Sequence, residues 1–311
     1  MTMAWLPRAW LPPPARRVLR QAVPDLYSLN RRLALPHFIA GHGRAPRPVE
    51  AEDATISDYI FERMLRGRWS RLERRCVDKA LAKPIAAALA GVRSAQVLAV
   101  RPRSAGWSLD AVEAWLAPFI GRRLVLKPTH SSGQVLFLDQ PLGPGQLAEF
   151  LGFCRRSLFH KCRETQYRGL AQKLIIEANL FAPGETPVDY KFFCARGEVI
   201  CCDLNIDRFA DRTCALCGVP GFEVLSVGYV GDKPARDVEK PETLPQMLEA
   251  ARRLSQPFDF VRIDLYSVRG AVYFGEFTFT PCAGCAAFTS EAWAIEVLAK
   301  VKRNAAAARD C

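Results

Sequence analysis

The sequence predicts an α+β protein whose strands pair mostly in antiparallel fashion. From about residue 95 onward, short β-branched runs and amphipathic segments alternate irregularly, unlike the regular strand–helix series of a doubly wound sheet. Two pairs of apolar runs are joined by tight turns that contain Gly133 and Gly270, which is typical of hairpins. Neither G-x-G-x-x-G nor G-x-x-x-x-G-K-[ST] occurs, so Rossmann and P-loop folds have no supporting motif.

Composition narrows the class of protein. The 311 residues allow about two domains. With 50% hydrophobic and 24% charged residues, disorder as the main state is excluded, and no apolar run reaches the roughly 18 residues that span a bilayer. The net charge of +11 suits a nucleotide, a nucleic acid, an acidic polymer or a membrane surface. Eleven cysteines, without a signal-peptide pattern, predict reduced thiols in the cytoplasm.

Residues 1–70 are predicted to form an N-terminal arm followed by a basic helix. Residues 1–50 are rich in Pro and Arg, so we expect an irregular arm with a short helix around Ala15–Leu26. Apolar residues at helical spacing predict a helix over 53–76. Its arginines fit either a solvated face or a docking surface for an acidic partner: Arg63, Arg66, Arg68, Arg71, Arg74 and Arg75.

The rest of the chain is divided into strands and helices by its periodicity. Ser108 is a typical N-cap and predicts a helix to about Leu116. Further helices are predicted over 146–159, 242–254 and 290–302. Strands are predicted over 96–100, 123–127, 134–138, 173–177, 189–195, 198–205, 223–230, 259–266 and 271–278.

The last two strands each carry an acid within an apolar run, Asp264 in 260–266 and Glu276 in 273–278. Burying a carboxylate is costly unless a cation or hydrogen bonds compensate it. The two acids lie at equal distances from the turn, so a hairpin would place them side by side on one face. Such a pair predicts a Mg²⁺ site, because Mg²⁺ uses one or two protein carboxylates together with phosphates and water. Arg262 shares the face of Asp264 and could hold a transferring phosphoryl group.

A second candidate site follows the strand that ends at Lys127. This lysine can neutralise the phosphates of a nucleotide, while the backbone N–H groups of Ser131, Ser132 and Gly133 can fold over the phosphate chain. Many strands also end in lysine without any function. His130 is interpreted as a turn residue.

The apolar run ending at Glu177 has two interpretations of equal weight. It can be an ordinary strand end, or a connector whose backbone meets an adenine edge while Glu177 accepts a hydrogen bond from the exocyclic amine.

In order, these motifs resemble the ATP-grasp superfamily, and within it the TupA-like ATP-grasp amidoligases. The shared features are a D-Y-K-F-F strand, an F-V-R-x-D-L-Y run and a closing Y-F-G-E-x-T-F-T-P segment. In this chain they are Asp78-Lys79, Lys127 with its loop, Glu177, Asp189–Phe193, Arg262–Asp264, Glu276–Thr278 and Gly284. The resemblance covers about residues 70–300.

The resemblance implies an ATP-grasp fold in which two α+β lobes clamp ATP and Mg²⁺. The residues implied to hold ATP are Lys79, Lys127, Ser131, Ser132, Gly133, Glu177, Ala178 and Leu180. Those implied to hold Mg²⁺ are Asp264, Glu276 and Thr278, where Thr278 replaces the Asn of most ATP-grasp ligases. Arg262, Lys191 and Arg208 are implied as catalytic residues along the path of the phosphoryl group.

The resemblance also implies a division of the chain. The N-terminal arm and basic helix occupy 1–70, the first lobe 71–180, the second lobe with the metal site 181–305, and a tail 306–311. Residues 1–70 show no βαβ pattern, so an irregular or helical extension replaces the Rossmann-like domain that precedes most ATP-grasp lobes.

The expected activity is ATP-dependent ligation of a carboxylate to an amine through an acyl-phosphate, with an acidic cell-surface polymer or peptide as the implied substrate. The alternatives are a phosphotransferase on the same fold and a basic nucleic-acid-binding protein. A nucleic-acid-binding protein would show interleaved basic and aromatic residues on one sheet, and the sequence does not show them, so no nucleic-acid partner is expected. The pairs Cys214/Cys217 and Cys282/Cys285 could bind zinc, but chance spacing explains them better in a chain with 11 cysteines.

Overall fold

The computed structural model describes residues 24–131, 133–182, 185, 187–207, 211–235 and 238–308. Its helices are α1 (Tyr27–His42), α2 (Ile56–Arg66), α3 (Arg71–Val77), α4 (Lys79–Ala90), α5 (Leu109–Leu116), α6 (Gln146–Cys154), α7 (Leu158–Cys162), α8 (Leu244–Ser255) and α9 (Glu291–Ala307). Its strands are β1 (Arg93–Ser94), β2 (Val97–Pro102), β3 (Leu124–Pro128), β4 (Leu136–Phe137), β5 (Lys173–Ala178), β6 (Val188–Ala195), β7 (Glu198–Ile206), β8 (Thr213–Cys217), β9 (Val261–Val268) and β10 (Ala271–Thr278).

The larger sheet has six strands in the order β1-β10-β9-β6-β7-β8. All its neighbours pair antiparallel except β1, which runs parallel to β10. Alternate residues of β6 face opposite sides, as the two-residue period of a strand requires. Phe192 belongs to a core covered by α4 and α8, whereas Phe193 belongs to a core covered by α2 and α9. Helices therefore cover part of each face of this sheet.

The smaller sheet has four strands in the order β2-β5-β3-β4, all antiparallel. One face packs on α5 and α6 through a core that includes Val112, Leu116, Phe150 and Leu151. Within the described residues, the opposite face of β3 and β5 carries no helix from this core and is directed toward the β9–β10 hairpin. The fold class is thus α+β with antiparallel pairing, as predicted.

The N-terminal region is more helical than predicted. Residues 1–23 lie outside the described residues, and α1 follows where an irregular arm was predicted. The single helix predicted over 53–76 is wrong: α2 ends at Gly67, whose φ of +66° terminates the helix in the left-handed conformation. Ser70 then caps α3 by accepting a hydrogen bond from the Glu73 backbone N–H. The helix α4 was not predicted.

Two other predictions need correction. The helix predicted over 146–159 ends at Cys154, and a short separate helix follows. The strand predicted over 223–230 forms only isolated bridges, because its backbone bonds Leu216 at one end and Ala287 at the other instead of one continuous partner. No helix within the described residues is both long and apolar enough to cross a lipid bilayer.

The domain boundaries at 70, 180 and 305 remain predictions. The sheets divide the chain differently near the first boundary, since α4 and β1 pack on the larger sheet although they precede the smaller one.

Candidate active site

A cavity of about 300 Å³ lies between the open face of the smaller sheet and the β9–β10 hairpin of the larger sheet. It is lined from the smaller sheet by Lys127 and Glu177, from α4 by Lys79, and from the hairpin by Glu276. Residues from both sheets therefore enclose one space. The predicted site residues that line it are Lys79, Lys127, Gly133, Glu177, Ala178, Leu180 and Glu276.

The hairpin brings Asp264 and Glu276 opposite each other, which confirms the predicted pairing of these two acids. A β-bulge makes this possible. Near the turn, Phe274 pairs with Leu265. Gly275 has no partner in the ladder, and the next pair is Glu276 with Asp264. Without the bulge, Glu276 would lie opposite Ile263 and face the apolar core. The bulge therefore turns Glu276 to the face that carries Asp264.

Arg262 links the two acids. It donates two hydrogen bonds of 2.7 Å to the Asp264 carboxylate and lies 3.8 Å from an oxygen of Glu276. It also donates to the Thr278 hydroxyl at 3.2 Å, and that hydroxyl donates to Glu276 at 3.5 Å. Burial raises the pKa of Asp264 to about 6, Arg262 opposes the rise, and Glu276 adds to it. Two neighbouring carboxylates in this setting favour a bound cation.

The helix α4 supplies two lysines to the cavity. Lys79 and Lys83 lie one turn apart and therefore share a face of the helix. Lys79 forms an ion pair with Glu276, and Lys83 forms one of 2.8 Å with Glu177. Both lysines thus connect the helix to acids on the two sheets.

Glu177 lies between two lysines. One carboxylate oxygen pairs with Lys127 and the other with Lys83. Burial acts to raise the pKa of Glu177. The positive charges of Lys127 and Lys83 outweigh this effect and hold that pKa below its ordinary value. The structure thus places the Glu177 carboxylate in a lysine pair, whereas an adenine amine was its predicted partner. The backbone after it, Ala178 to Leu180, lines the cavity as predicted.

The two hairpin acids begin a row of charged residues that continues across neighbouring strands of the larger sheet. Asp264 pairs with Lys191 on β6, and Lys191 pairs with Asp203 on β7. We call Glu276, Asp264, Lys191 and Asp203 the charged row. Lys191 also lies 3.5 Å from Asp189, another acid that lines the cavity.

The remaining predicted residues lie elsewhere. Ser131 is buried, its hydroxyl has no hydrogen-bond partner among the described residues, and it does not line the cavity. Ser132 and Arg208 lie outside the described residues. His130 is buried and its Nε2 lies 2.7 Å from the Cys154 carbonyl oxygen, a structural contact consistent with its interpretation as a turn residue.

Several cavity residues were missed from the sequence. They include Lys83, Asp139, Phe181, Glu185, Asp189 and Tyr266. Lys83 could have been found from its spacing to Lys79 if α4 had been predicted. The Phe181 and Tyr266 rings meet edge to face at 5.6 Å across the two sheets, a contact with no local sequence signal.

The donors present suit a magnesium nucleotide. Mg²⁺ prefers oxygen ligands and completes its shell with phosphates and water, so two adjacent carboxylates suffice. Within the described part of the chain, no group of three or more His, Cys, Asp or Glu gathers to form a protein-only metal cage. Asp264 and Glu276 would hold the ion, and Lys79 and Lys127 would face the phosphates.

Comparison with known proteins gives one family. The model of the TupA-like ATP-grasp family matches residues 62–298. No protein of curated function matches the chain in sequence.

Solved structures with some likeness include ligases. D-alanine–D-alanine ligase from Bacillus anthracis complexed with ATP is 14% identical, with 76% of this chain and 66% of that structure covered and a TM-score of 0.39. The corresponding ligase from Helicobacter pylori is 15% identical, with 73% and 61% covered and a TM-score of 0.39. The ATP-grasp ligase PsnB complexed with its minimal precursor is 11% identical, with 75% and 62% covered and a TM-score of 0.37. The chain spans less than two thirds of the length of each.

Proposed function

Because this chain belongs to the TupA-like ATP-grasp family, we propose that it is an ATP-dependent ligase that joins a carboxylate to an amine. One observation carries the proposal beyond family membership. The cavity between the sheets is lined by Lys79, Lys127 and Glu276. Asp264 lies opposite Glu276 in the hairpin and is held by Arg262. Such a set of cations and paired acids suits the triphosphate of ATP with its metal ion.

In the proposed reaction, a carboxylate oxygen of the acid substrate attacks the γ-phosphorus of ATP, and the bond to the ADP oxygen breaks. The amine nitrogen then attacks the carbonyl carbon of the acyl-phosphate. A C–N bond forms, the C–O bond to phosphate breaks, and inorganic phosphate leaves with the electron pair. The ammonium form of the amine loses two protons in becoming the amide nitrogen.

The chain's own residues have distinct roles in this proposal. Lys79 and Lys127 bind phosphate oxygens, and Arg262 lies beside the acids to stabilise the transferring phosphoryl group. Asp264 and Glu276 would hold Mg²⁺, which would neutralise phosphate charge when bound. We assign Lys191, next in the charged row, to the path of the acyl-phosphate. The predicted roles of Ser132 and Arg208 belong to the same proposal.

The finer parts of the proposal concern the substrate and its location. We assign an acidic cell-surface polymer or peptide as the substrate and the cytoplasm as the site of reaction. The net charge of +11 supports an anionic substrate. Further support comes from exposed arginines that form no ion pair among the described residues: Arg68, Arg71, Arg74 and Arg75.

The test is an incubation of the full chain with Mg·ATP and pools of carboxylates and amines, followed by mass spectrometry of the conjugate and assay of ADP and phosphate. We expect one ADP and one phosphate for each amide formed. A stable phosphorylated product that accumulates without an amine would instead establish a phosphotransferase.

A matched pair of variants ties the activity to this site. Arg262→Lys keeps the charge but loses the two-pronged contact with Asp264, so we expect at least about a tenfold loss of turnover. Arg252→Lys, on the exposed surface of α8, should keep full turnover. Equal turnover in both variants would contradict the role of Arg262.

A further inference from the structure

A second cavity of about 300 Å³ lies beyond the charged row, at the β8 edge of the larger sheet. One wall is β8, and the other is the segment 224–229, which leaves the sheet after the isolated bridge from Val224 to Cys217. Tyr229 lines the cavity and is held in place by stacking on Phe288 with ring centroids 4.5 Å apart. The proposed reaction at the first cavity does not use this space.

Asp203 belongs to both places. It is the last member of the charged row and also lines the second cavity. Its side chain is buried, with 4% of the residue exposed. Oδ1 accepts a hydrogen bond of 2.9 Å from Asn205, and Lys191 is the neighbour of Asp203 in the charged row. Burying a carboxylate is costly, and a cationic or hydrogen-bonding ligand in the cavity would add to the compensation that Asn205 and Lys191 supply.

The lining has a definite chemical character. Its walls are largely apolar, formed by Ala215, Leu216, Val224, Leu225, Val227, Pro234 and Ala235. Its charged side chains are Asp203 and Asp232, and within the described residues no Lys, Arg or His lines it. Arg212 already pairs with Asp232. The cavity therefore suits a molecule with an apolar body and a positive end, and it disfavours a carboxylate.

We propose that this second cavity binds the amine substrate, as an ammonium group with an aliphatic or other apolar side group, and that Asp203 is the residue that holds the ammonium. The proposal rests on the proposed ligase function. In the charged row only Lys191 separates Asp203 from Asp264, so an amine held there lies beside the place where the acyl-phosphate forms. The apolar walls then select the side group of the amine.

The test uses the full chain and three probes of equal length: n-hexylamine, hexan-1-ol and hexanoate. Their binding is measured by calorimetric titration and by saturation-transfer NMR. We expect hexylamine to bind at least about tenfold more tightly than hexanol, because a hydrogen bond to a charged group adds to the shared apolar contact. Hexanoate should bind most weakly of the three.

Two variants locate the binding. Asp203→Asn should weaken hexylamine binding about tenfold and leave hexanol binding unchanged. Val224→Trp should block all three probes at the cavity mouth with little risk to folding, because Val224 is 54% exposed. The matched control is Val230→Trp, at a valine that is 64% exposed and does not line this cavity.

The outcomes separate this inference from the ligase proposal, because Mg·AMP-PNP binding is measured on the same samples. Preferred binding of hexanoate, no binding of hexylamine, or equal effects of the Val224 and Val230 variants would each overturn the amine site. Hexylamine binding that needs Asp203 in a protein that fails to bind Mg·AMP-PNP would retain the amine site and remove the ligase function.

Discussion

At the scale of single residues, the site balances its own charges. Asp264 is paired with Arg262, and Glu276 is paired with Lys79. A buried ion pair contributes little net stability, but removing one partner leaves an uncompensated charge. The acids are thus kept close together by cations that can also contact phosphate, which makes each of these residues testable by a near-isosteric change.

Asp264→Asn and Glu276→Gln each remove one negative charge from the proposed metal site. We expect Mg²⁺-dependent ATP turnover to fall at least about a hundredfold in both, since a metal ion contributes several kcal/mol to phosphoryl transfer. ADP release is measured at several Mg²⁺ concentrations, and circular dichroism checks the fold. The exposed carboxylate variant Glu249→Gln serves as the control. Full turnover in both site variants would remove the metal assignment.

Glu177→Gln separates two roles for that carboxylate. If it positions Lys83 and Lys127, as their contacts indicate, the variant should bind Mg·AMP-PNP more weakly while keeping the same preference for ATP over GTP. It should also lose about 3 kcal/mol of stability, because the buried Lys83 and the half-buried Lys127 lose their counter-charge. Nucleotide titration and urea unfolding measure these effects, with exposed Glu113→Gln as control. A changed base preference would favour the predicted adenine contact instead.

Glu164 gives a pH-dependent stability. It is buried near Thr280, two residues beyond the end of β10. Thr280 and Gln166 donate hydrogen bonds to its Oε1 at 2.7 and 3.2 Å. Burial raises the pKa of Glu164 to about 7, above its ordinary 4.5. Its stabilising contribution is therefore complete below pH 4.5 and lost as the pH rises through 7.

Glu164→Gln keeps the shape and cannot ionise, so it should match the wild type near pH 4 and exceed it by up to about 3 kcal/mol at pH 8. Urea unfolding across this range measures the difference, with exposed Glu242→Gln as the control. An identical pH dependence in wild type and Glu164→Gln would show that Glu164 titrates normally.

At the scale of elements, the bulge in the β9–β10 hairpin places Glu276 opposite Asp264. A Cβ at Gly275 would lie 2.9 Å from the Tyr266 ring and 3.0 Å from the Asp264 carbonyl oxygen. Gly275→Ala should therefore cost about 1–3 kcal/mol and weaken Mg·AMP-PNP binding by displacing Glu276. Gly152→Ala, in a helix with free space, should keep or gain stability. Thermal unfolding and nucleotide titration compare them, and equal behaviour would contradict the role of the bulge.

The hairpin was predictable because its information is local. Asp264 and Glu276 lie at equal distances from a glycine turn, although the skipped Gly275 that makes the register work cannot be counted in advance. The strand predicted over 223–230 had a similar apolar pattern but divides its hydrogen bonds between two distant segments. Periodicity reports which residues prefer burial, not which backbone they will pair with.

The candidate site shows the same division. Lys127, Glu177 and Glu276 each belong to a strand with a clear pattern, and each lines the first cavity. Lys83 was missed because its helix, α4, was not predicted. This helix begins immediately after Asp78, whose carboxylate caps it by accepting a hydrogen bond from the Ala80 backbone N–H. The predicted helix just before it was extended to residue 76, which left no separate helix start in view. Asp203 was missed because nothing in its own strand shows that it continues the charged row.

At the scale of the whole molecule, the two sheets are joined by a small number of polar contacts around the first cavity. Arg269 in the hairpin turn donates a hydrogen bond of 2.8 Å to the Leu180 carbonyl oxygen, which follows β5 of the smaller sheet. Lys79 reaches Glu276, and Asp78 beside it pairs with Lys173 at 2.7 Å. A ligand bound between the sheets would add contacts to both, so its effect should be felt on both sides of the cavity together.

Hydrogen–deuterium exchange tests this coupling. With saturating Mg·AMP-PNP we expect slower exchange both in β3–β4 with the segment 176–182 and in the β9–β10 hairpin, because one ligand stabilises the two open faces at once. The helix α9 packs on the far core through Val297 and Leu298, so its exchange should change little and provides the internal control. Protection confined to one sheet would mean that the nucleotide binds to a single lobe, and the cavity between the sheets would lose its assignment.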